Sequence, residues 1–143
     1  KEEGRTTRFS LSRVCGLLGV AFKGDDETFV NHASTPEITE PVYWGWCQDG
    51  RMNRGKAPRD CRNSFTSSEV GLEAVGCLFL YAQDCTVIGG TGDAWHAMDL
   101  PGSVYKGRPS SGACLEFWHD RPKLSWYWHD RADPECGSAS RWE

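Results

Sequence analysis

The tetrapeptide Trp-His-Asp-Arg occurs at 118–121 and again at 128–131, and its histidines and aspartates are residue types that bind metals or transfer protons. Both copies lie in a segment that has the composition of a β-hairpin. Residues at this separation either point to opposite faces of a hairpin or lie several residues apart along it. Because zinc ligands must all lie within about 2.0–2.3 Å of one ion, the spacing argues against a metal at His119 and His129. The sequence predicts no metal site and no cofactor.

His96 and Asp99 could orient one another for nucleophilic catalysis if a serine or cysteine joined them. No G-x-S-x-G elbow is present, and cysteines held in disulfides cannot act as thiolates. The segment Gly89-Gly90-Thr91-Gly92-Asp93 lacks the Lys-Ser/Thr pair of a Walker motif, and its glycines indicate a turn with positive φ. These features favour a protein that is not an enzyme. A small secreted hydrolase that uses two carboxylates ranks third among the candidate functions.

Two pairs of tryptophans have the two-residue period of a β-strand. Trp44 and Trp46 project to one face of a predicted strand, and Trp126 and Trp128 do the same in a second strand. A row of indoles either fills a core or forms a platform that stacks on sugars or docks a partner. These four residues are therefore candidate binding residues. Carbohydrate binding through them ranks second among the candidate functions.

A basic stretch lies between Gly50 and Asn63, in a chain whose formal net charge is −4. This charge balance lacks the global positive field that attracts nucleic acid, and no apolar run approaches the roughly 18 residues of a membrane span. The stretch is either a solvated loop or a local docking patch for an acidic partner. Its cationic residues are Arg51, Arg54, Lys56, Arg59 and Arg62.

The strongest compositional signal is seven cysteines spread over 143 residues without any C-x-x-C pair. This spacing excludes zinc-ribbon and thioredoxin-type proteins and is typical of proteins from oxidising compartments. We expect three disulfides, each worth about 2–4 kcal/mol, in a pairing that the sequence leaves open. The disulfide candidates are Cys15, Cys47, Cys61, Cys85, Cys114 and Cys136. Cys77 lies in an apolar run and is the predicted free thiol, although a bridge in the core fits its position equally well.

The elements that would position these residues are short. A helix is predicted from Ser67 onward, with a capping box formed by Thr66 and Glu69. Residues 13–22 are apolar and fit either a buried strand or a short helix. Further strands are predicted at 42–47 and 86–88.

The clearest local prediction is a hairpin near the C-terminus. Aromatic runs at 113–119 and 124–129 flank Asp120-Arg121-Pro122-Lys123, which has the composition of a turn. The predicted fold class is α+β, with a small antiparallel sheet packed against one or two helices and stabilised by disulfides. A single secreted domain is expected to span residues 1–143.

Taken together, the chain length, the cysteines scattered from Cys15 to Cys136 and the lack of enzymatic motifs resemble the small secreted cysteine-rich effectors of plant-pathogenic fungi. The polar start at 1–5 fits removal of a signal peptide or pro-segment. The resemblance implies a virulence protein that binds a host protein outside or inside host cells without catalysis. It also implies recognition by host resistance proteins in some cases. We expect the protein to be a monomer.

Overall fold

The computed structural model describes residues 9–38 and 45–143, which form two β-sheets and three α-helices. The helices are α1 (Leu11–Leu18), α2 (Pro58–Ser64) and α3 (Ala74–Gln83). The strands are β1 (Ala21–Phe22), β2 (Phe29–Asn31), β3 (Cys47–Gln48), β4 (Glu69–Gly71), β5 (Ala97–Tyr105), β6 (Arg108–Trp118), β7 (Arg121–Trp128), β8 (Cys136–Ser138) and β9 (Ser140–Trp142). Short 3₁₀ helices lie at Arg51–Asn53, Cys85–Val87 and Gly92–Ala94.

The larger sheet has six strands and curls into a half-barrel. Its order is β1-β7-β6-β5-β2, and β8 shares with β2 the outer edge of β5. The long strands β5, β6 and β7 form an antiparallel meander, whereas β1 and β8 run parallel to their partners. The meander is the platform from which most candidate residues project.

The meander separates an apolar face from a polar face, because successive side chains of a strand alternate between its two sides. On the apolar face, Leu115 and Leu124 are paired in register and buried. Met98 and Leu100 of β5 are also buried, and this face packs against α1 and α3. Burial of each such side chain contributes about 1.5–3 kcal/mol, so this layer is the main hydrophobic core.

The smaller sheet has the order β3-β9-β4 and is tied to the body by a buried ion pair. Arg141 of β9 donates Nε and Nη2 to the carboxylate of Glu73 at 2.7–3.1 Å. The backbones of β4 and β5 also approach closely at Gly71 and Gly102, and the Gly102 amide donates to the Leu72 carbonyl at 3.1 Å. The ion pair and this backbone contact fix the smaller sheet against the larger one.

The predicted C-terminal hairpin is confirmed, but its turn is shorter and lies earlier in the chain. Strands β6 and β7 pair over eight registered positions and are joined by His119 and Asp120 alone. These two residues have φ of +49° and +61°, as a two-residue hairpin loop of type I′ requires. Pro122 belongs to β7 and pairs with Phe117. Strand β1 pairs only with the next two residues of β7, so Pro122 lies on an open sheet edge. A missing backbone donor is tolerated at such a position.

The remaining element predictions are partly wrong. Residues 13–22 contain both a helix and a strand. Helix α1 ends at Leu18, Gly19 caps it in the left-handed conformation, and β1 follows. The helix predicted from Ser67 begins at Ala74, because Glu69–Gly71 pairs with β9 instead. Residues 86–88 fall in a 3₁₀ helix and the residue after it. Residues 42–44 of the strand predicted at 42–47 lie outside the described residues, residues 45 and 46 are not in a strand, and only Cys47 falls in β3.

The predicted fold class of a small antiparallel sheet with one or two helices is wrong. The molecule is sheet-rich, its larger sheet is mixed, and three α-helices are present in the described residues. The parallel pairings join Ala21 to Lys123 and Ala97 to Cys136, and such distant pairings leave no local signal in the sequence. No helix in the described ranges has the length and apolar character needed to cross a membrane.

The predicted disulfide framework is also wrong, because all seven cysteines are free thiols. Cys15, Cys61, Cys77 and Cys114 are buried, and the Cys77 thiol contacts the Met98 sulfur at 3.5 Å. In such positions a thiol packs as a small hydrophobic group and needs no partner. Cys47 and Cys85 are exposed, and Cys136 is half-buried. Core packing therefore replaces cross-links as the main source of stability.

Candidate functional site

The polar face of the larger sheet carries four polar side chains side by side. Each of four adjacent strands contributes one residue in register, and residues paired in this way share a face. In order across β8, β5, β6 and β7 they are Ser138, Asp99, Cys114 and Ser125. All four are buried. We call this set the polar row.

Cys136 lies beside the polar row, two residues before Ser138 on β8 and therefore on the same face. The donor atoms of Asp99, Cys114 and Cys136 lie within 4.8 Å of one another. Burial raises the pKa of Asp99 to about 7, and a hydrogen bond from Cys114 partly opposes that rise. The hydrogen bond with Cys136, followed by burial, holds the pKa of Cys114 well above its usual value. Among residues 9–38 and 45–143, these three are the ones that could hold a metal.

The hydroxyl groups at both ends of the polar row lack hydrogen-bond partners. Ser125 Oγ and Ser138 Oγ are buried, and neither makes a hydrogen bond within the described ranges. The hydroxyl of Tyr127 lies close to Ser125, and the thiol of Cys61 lies close to Ser138, but neither contact has hydrogen-bonding geometry. An unpaired buried polar group costs about 1–3 kcal/mol and marks a place where water, an ion or a ligand completes the structure.

The polar face continues along β6 and β7 on both sides of the polar row, with Glu116 and Lys123 toward the turn and Tyr127 away from it. Tyr127 donates its hydroxyl to Glu116 Oε1 at 2.6 Å, and burial, followed by this carboxylate, raises the pKa of Tyr127. The guanidinium of Arg131 lies 5.5 Å from the Tyr127 ring and pairs with Asp133 at 2.7 Å. The Tyr127 hydroxyl thus reaches diagonally across the hairpin to Glu116, which lies between the polar row and the turn.

The turn end of the hairpin is exposed and aromatic. Trp118 is 54% exposed, and the Nζ atom of Lys123 lies 5.1 Å from the centre of its ring. The ring of His119 meets the same indole edge-on, with centroids 5.1 Å apart. We call Trp118, His119, Asp120, Arg121 and Lys123 the hairpin tip. The sequence predicts that these residues belong to the hairpin, but it does not indicate Trp118 as a binding residue.

The tryptophans predicted to bind do not form one row. Trp126 and Trp128 share a face as predicted, but Trp126 stacks on Tyr105 at 5.0 Å and is half-buried. Trp128 is 48% exposed under the guanidinium of Arg108, 4.2 Å away. Trp46 is 83% exposed and immediately precedes β3, which belongs to the smaller sheet. Trp44 lies outside the described residues.

The basic stretch holds neighbouring segments together. Arg51, Arg54 and Arg62 each donate to a backbone carbonyl elsewhere in the chain, at 2.7–3.1 Å. The acceptors are the carbonyls of Thr86, Asp93, Trp95 and Pro101. Lys56 and Arg59 are exposed, and the one ion pair of Arg59 with a described residue is with its neighbour Asp60. Two of the five cations are therefore available to a partner, and three are anchors of the fold.

The histidines considered for catalysis lie apart from one another. His96 is buried, and its Nε2 bonds to the carbonyl of Asp49 at 2.7 Å. Its Nδ1 bonds to no residue that the structure describes, so Asp99 does not orient it. His119 is exposed at the turn, whereas His129 is buried with Nδ1 2.7 Å from Arg62 Nη1. Because a guanidinium can only donate, His129 Nδ1 accepts and the neutral ring carries its proton on Nε2.

His129 is expected to make the protein sensitive to acid. Burial, followed by the charge of Arg62 and the nearby His32, lowers the pKa of His129 to about 3. Below about pH 6.5 the unfolded chain binds a proton that the folded one excludes, so stability falls by up to about 1.4 kcal/mol per pH unit. Urea unfolding of His129→Gln between about pH 6.5 and pH 4 should show a shallower fall than wild type. His119→Gln, at the exposed copy of the motif, should keep the wild-type slope, and equal slopes in all three proteins would refute the assignment.

The glycine-rich loop is a turn, as predicted. Gly89 and Gly90 have φ of +90° and +110°, values that side chains rarely adopt. The Gly89 and His96 backbones exchange two hydrogen bonds, at 2.8 and 2.9 Å, which close the loop. The loop thus delivers His96 and β5 to the core.

Comparison of the chain with protein-family models finds no match, and comparisons with curated proteins and with solved structures find none either. The polar face of the larger sheet carries most of the candidate groups. The sequence indicates Asp99, Cys114 and Cys136 only singly, as a partner of His96 and as disulfide candidates. The signal that joins them is strand register, which becomes visible only once β5, β6 and β8 are aligned.

Proposed function

We propose that the protein is a secreted effector that acts by binding a host protein, without catalysis, and that the hairpin tip makes the principal contact. The observation that carries the proposal is Trp118, whose large apolar ring is 54% exposed at the end of a hairpin. Tryptophan and arginine are the residue types most enriched among those that dominate binding energy at protein interfaces. The tip presents one of each, with Arg121 directly opposite Trp118 in register.

The tip is held in one conformation before any partner arrives. Lys123 lies over the indole, His119 packs against its edge, and the two-residue turn fixes the strands on either side. An interface side chain that is already ordered loses little conformational entropy on binding, which leaves more of its contact energy as affinity. This preorganisation supports the tip as a recognition element.

The tip also extends beyond the rest of the meander. The first registered pair between β5 and β6 is Met98 with Leu115, so residues 117–122 have no partner strand from β5. A projecting hairpin can enter a concave surface that a flat sheet face cannot reach. The exposed Lys56 and Arg59 remain candidates for additional contacts with acidic groups of the partner.

A carbohydrate platform is less well supported by the geometry. Sugar stacking favours several free indole faces on one surface, whereas Trp118 and Trp128 project to opposite faces of the hairpin and Trp126 is packed. Each exposed indole of the hairpin also has a cation over one face. Protein recognition at a single aromatic anchor fits this arrangement better.

The proposal is tested with Trp118→Ala and the matched control Trp128→Ala, which removes an indole from the opposite face of the same hairpin. Each protein is applied to leaf tissue from a panel of plant species, and the partner is captured in responding tissue with a photoreactive residue at the exposed position 120, which leaves Trp118 in place. Trp118→Ala should weaken binding of that partner about 30-fold or more, as expected for a residue worth about 2 kcal/mol. Trp128→Ala should change binding less than about threefold.

The proposal fails if Trp118→Ala binds the captured partner and acts on tissue as wild type does. It also fails if no plant protein is captured while chitin or glucan is bound through Trp46 or Trp128, which would establish the carbohydrate alternative. Turnover of a polysaccharide or of RNA by the purified protein would establish the hydrolase alternative.

A further inference from the structure

We propose that Asp99, Cys114 and Cys136 bind a zinc ion, at a site that is independent of the partner binding proposed above. Two thiol sulfurs and one carboxylate oxygen already lie within 4.8 Å of one another. Ligand atoms around one tetrahedral zinc lie about 3.3–3.8 Å apart, because the bonds are about 2.0–2.3 Å long. Small side-chain movements therefore suffice for the three donors to share one ion.

Strand order favours a shared ion over a disulfide between the two cysteines. Strands β6 and β8 lie on opposite sides of β5, so the backbones at Cys114 and Cys136 are two strand spacings apart. That separation is about 9–10 Å in a flat sheet, whereas disulfides need Cα atoms within about 7 Å. The curl of the sheet brings the sulfur atoms together above Asp99, while the strand between them keeps the backbones apart.

The charges around the cluster leave a place for a cation. Asp99 forms no ion pair with any described residue, and the nearby Arg131 is engaged by Asp133. Burying a carboxylate is costly unless it is paired or coordinates a metal. A divalent cation would supply the missing positive charge and draw both thiols into their metal-binding thiolate form.

The unpaired serine hydroxyls are a second, independent observation that points to a ligand. Ser138 is in register with Asp99, and Ser125 is in register with Cys114, each on the side of its neighbour away from the cluster centre. Metal ligands are commonly oriented by hydrogen bonds from a surrounding shell of polar groups. Both hydroxyls are buried and have a proton to donate, and no other described residue uses it.

The donor set specifies the type of ion and the type of site. Two thiolates select zinc over magnesium or calcium, which prefer oxygen ligands. Three protein ligands leave one of four positions to water or a small ligand, an arrangement found at catalytic rather than structural zinc centres. The fourth position, on the same face as the hairpin tip, is thus left for water or a small ligand.

The test uses the full chain, stripped of metal with a chelator and then titrated with zinc against a competing chromophoric chelator. Cobalt serves as a second probe, because thiolate–cobalt charge-transfer absorption reports sulfur ligation directly. We expect one tight site per chain with two thiolate ligands. Cys136→Ser should weaken zinc binding by about 100-fold or more, and Ser138→Ala by about 10–100-fold. Cys85→Ser, which removes an exposed thiol from another part of the chain, should bind as wild type does.

Three results would overturn the proposal. They are the absence of a stoichiometric zinc site in wild type, unchanged affinity in Cys136→Ser, and a Cys114–Cys136 disulfide found by peptide mapping of the untreated protein. Asp99→Asn is a further variant for the carboxylate ligand. Because Cys136 is half-buried, its serine variant tests the proposal even if Asp99→Asn does not fold.

Discussion

Replacing Glu73 with alanine is expected to lower the free energy of unfolding by about 3–5 kcal/mol, because it leaves the buried guanidinium of Arg141 without its main counter-charge. Arg141 donates two groups to this carboxylate at 2.7–3.1 Å, and both side chains are almost completely removed from water. The pair joins β9 to the start of α3, so its loss should loosen the smaller sheet. Urea unfolding followed by tryptophan fluorescence measures the change.

The matched control is Glu27→Ala, which breaks the ion pair between Glu27 and Lys106. That pair lies at 3.4 Å with both side chains well exposed, so its loss should cost less than about 1 kcal/mol. Replacing Glu73 and Arg141 together with apolar residues should cost less than Glu73→Ala alone, because no charge is then left buried. If the free energy of unfolding of Glu73→Ala lies within about 1 kcal/mol of the wild-type value, the smaller sheet does not depend on this pair.

Gly102→Ala is expected to destabilise the protein by about 3 kcal/mol or more, because a Cβ atom there would meet backbone rather than a movable side chain. Its nearest neighbours would be the carbonyl oxygen of Gly71 and, at 2.8 Å, the carbonyl carbons of Gly71 and Leu72. The contact is reciprocal, since a Cβ at Gly71 would lie 2.5 Å from the Gly102 nitrogen. The variant should unfold at a markedly lower urea concentration than wild type.

Gly16→Ala is the control for this prediction, since it makes the same chemical change without a clash. Gly16 lies inside α1, and a Cβ there would meet nothing within 4 Å. Alanine should therefore stabilise the protein by about 0.5–1 kcal/mol, because it loses less chain entropy than glycine when the helix forms. Equal stability of Gly102→Ala and wild type would show that β4 and β5 can separate without cost.

Local features of the fold could be predicted from the sequence where short-range chemistry decides them. Alternating aromatic residues identified the hairpin of β6 and β7, and the glycines at 89–92 identified a turn. The capping box at Thr66 and Glu69 misled, because pairing of β4 with β9 takes Glu69 out of the helix. A local helix signal was outweighed there by a strand pairing between Glu69 and Trp142, which are far apart in the sequence.

The candidate site could not be predicted for the same reason. Asp99, Cys114 and Cys136 are separated by 15 and 22 residues and come together only through the register of three strands. Strand β8 has the sequence Cys-Gly-Ser, which carries no strand signal of its own. The cysteine count suggests disulfides, whereas Cys15, Cys61 and Cys77 pack singly in the interior and Cys47 and Cys85 are exposed. The repeated tetrapeptide Trp-His-Asp-Arg directs attention to its histidine and aspartate, and nothing in it indicates that Trp118 is exposed.

The number of free thiols is the measurement that tests this account most directly. The protein is produced in an oxidising compartment, treated with a metal chelator, denatured without reductant and alkylated, and its intact mass is compared with that of a fully reduced sample. We predict seven alkyl additions in both samples, because packing of the apolar face holds the fold and β5 keeps Cys114 from bonding to Cys136. Fewer additions in the unreduced sample, with a linked peptide pair, would contradict both the packing account and the zinc site.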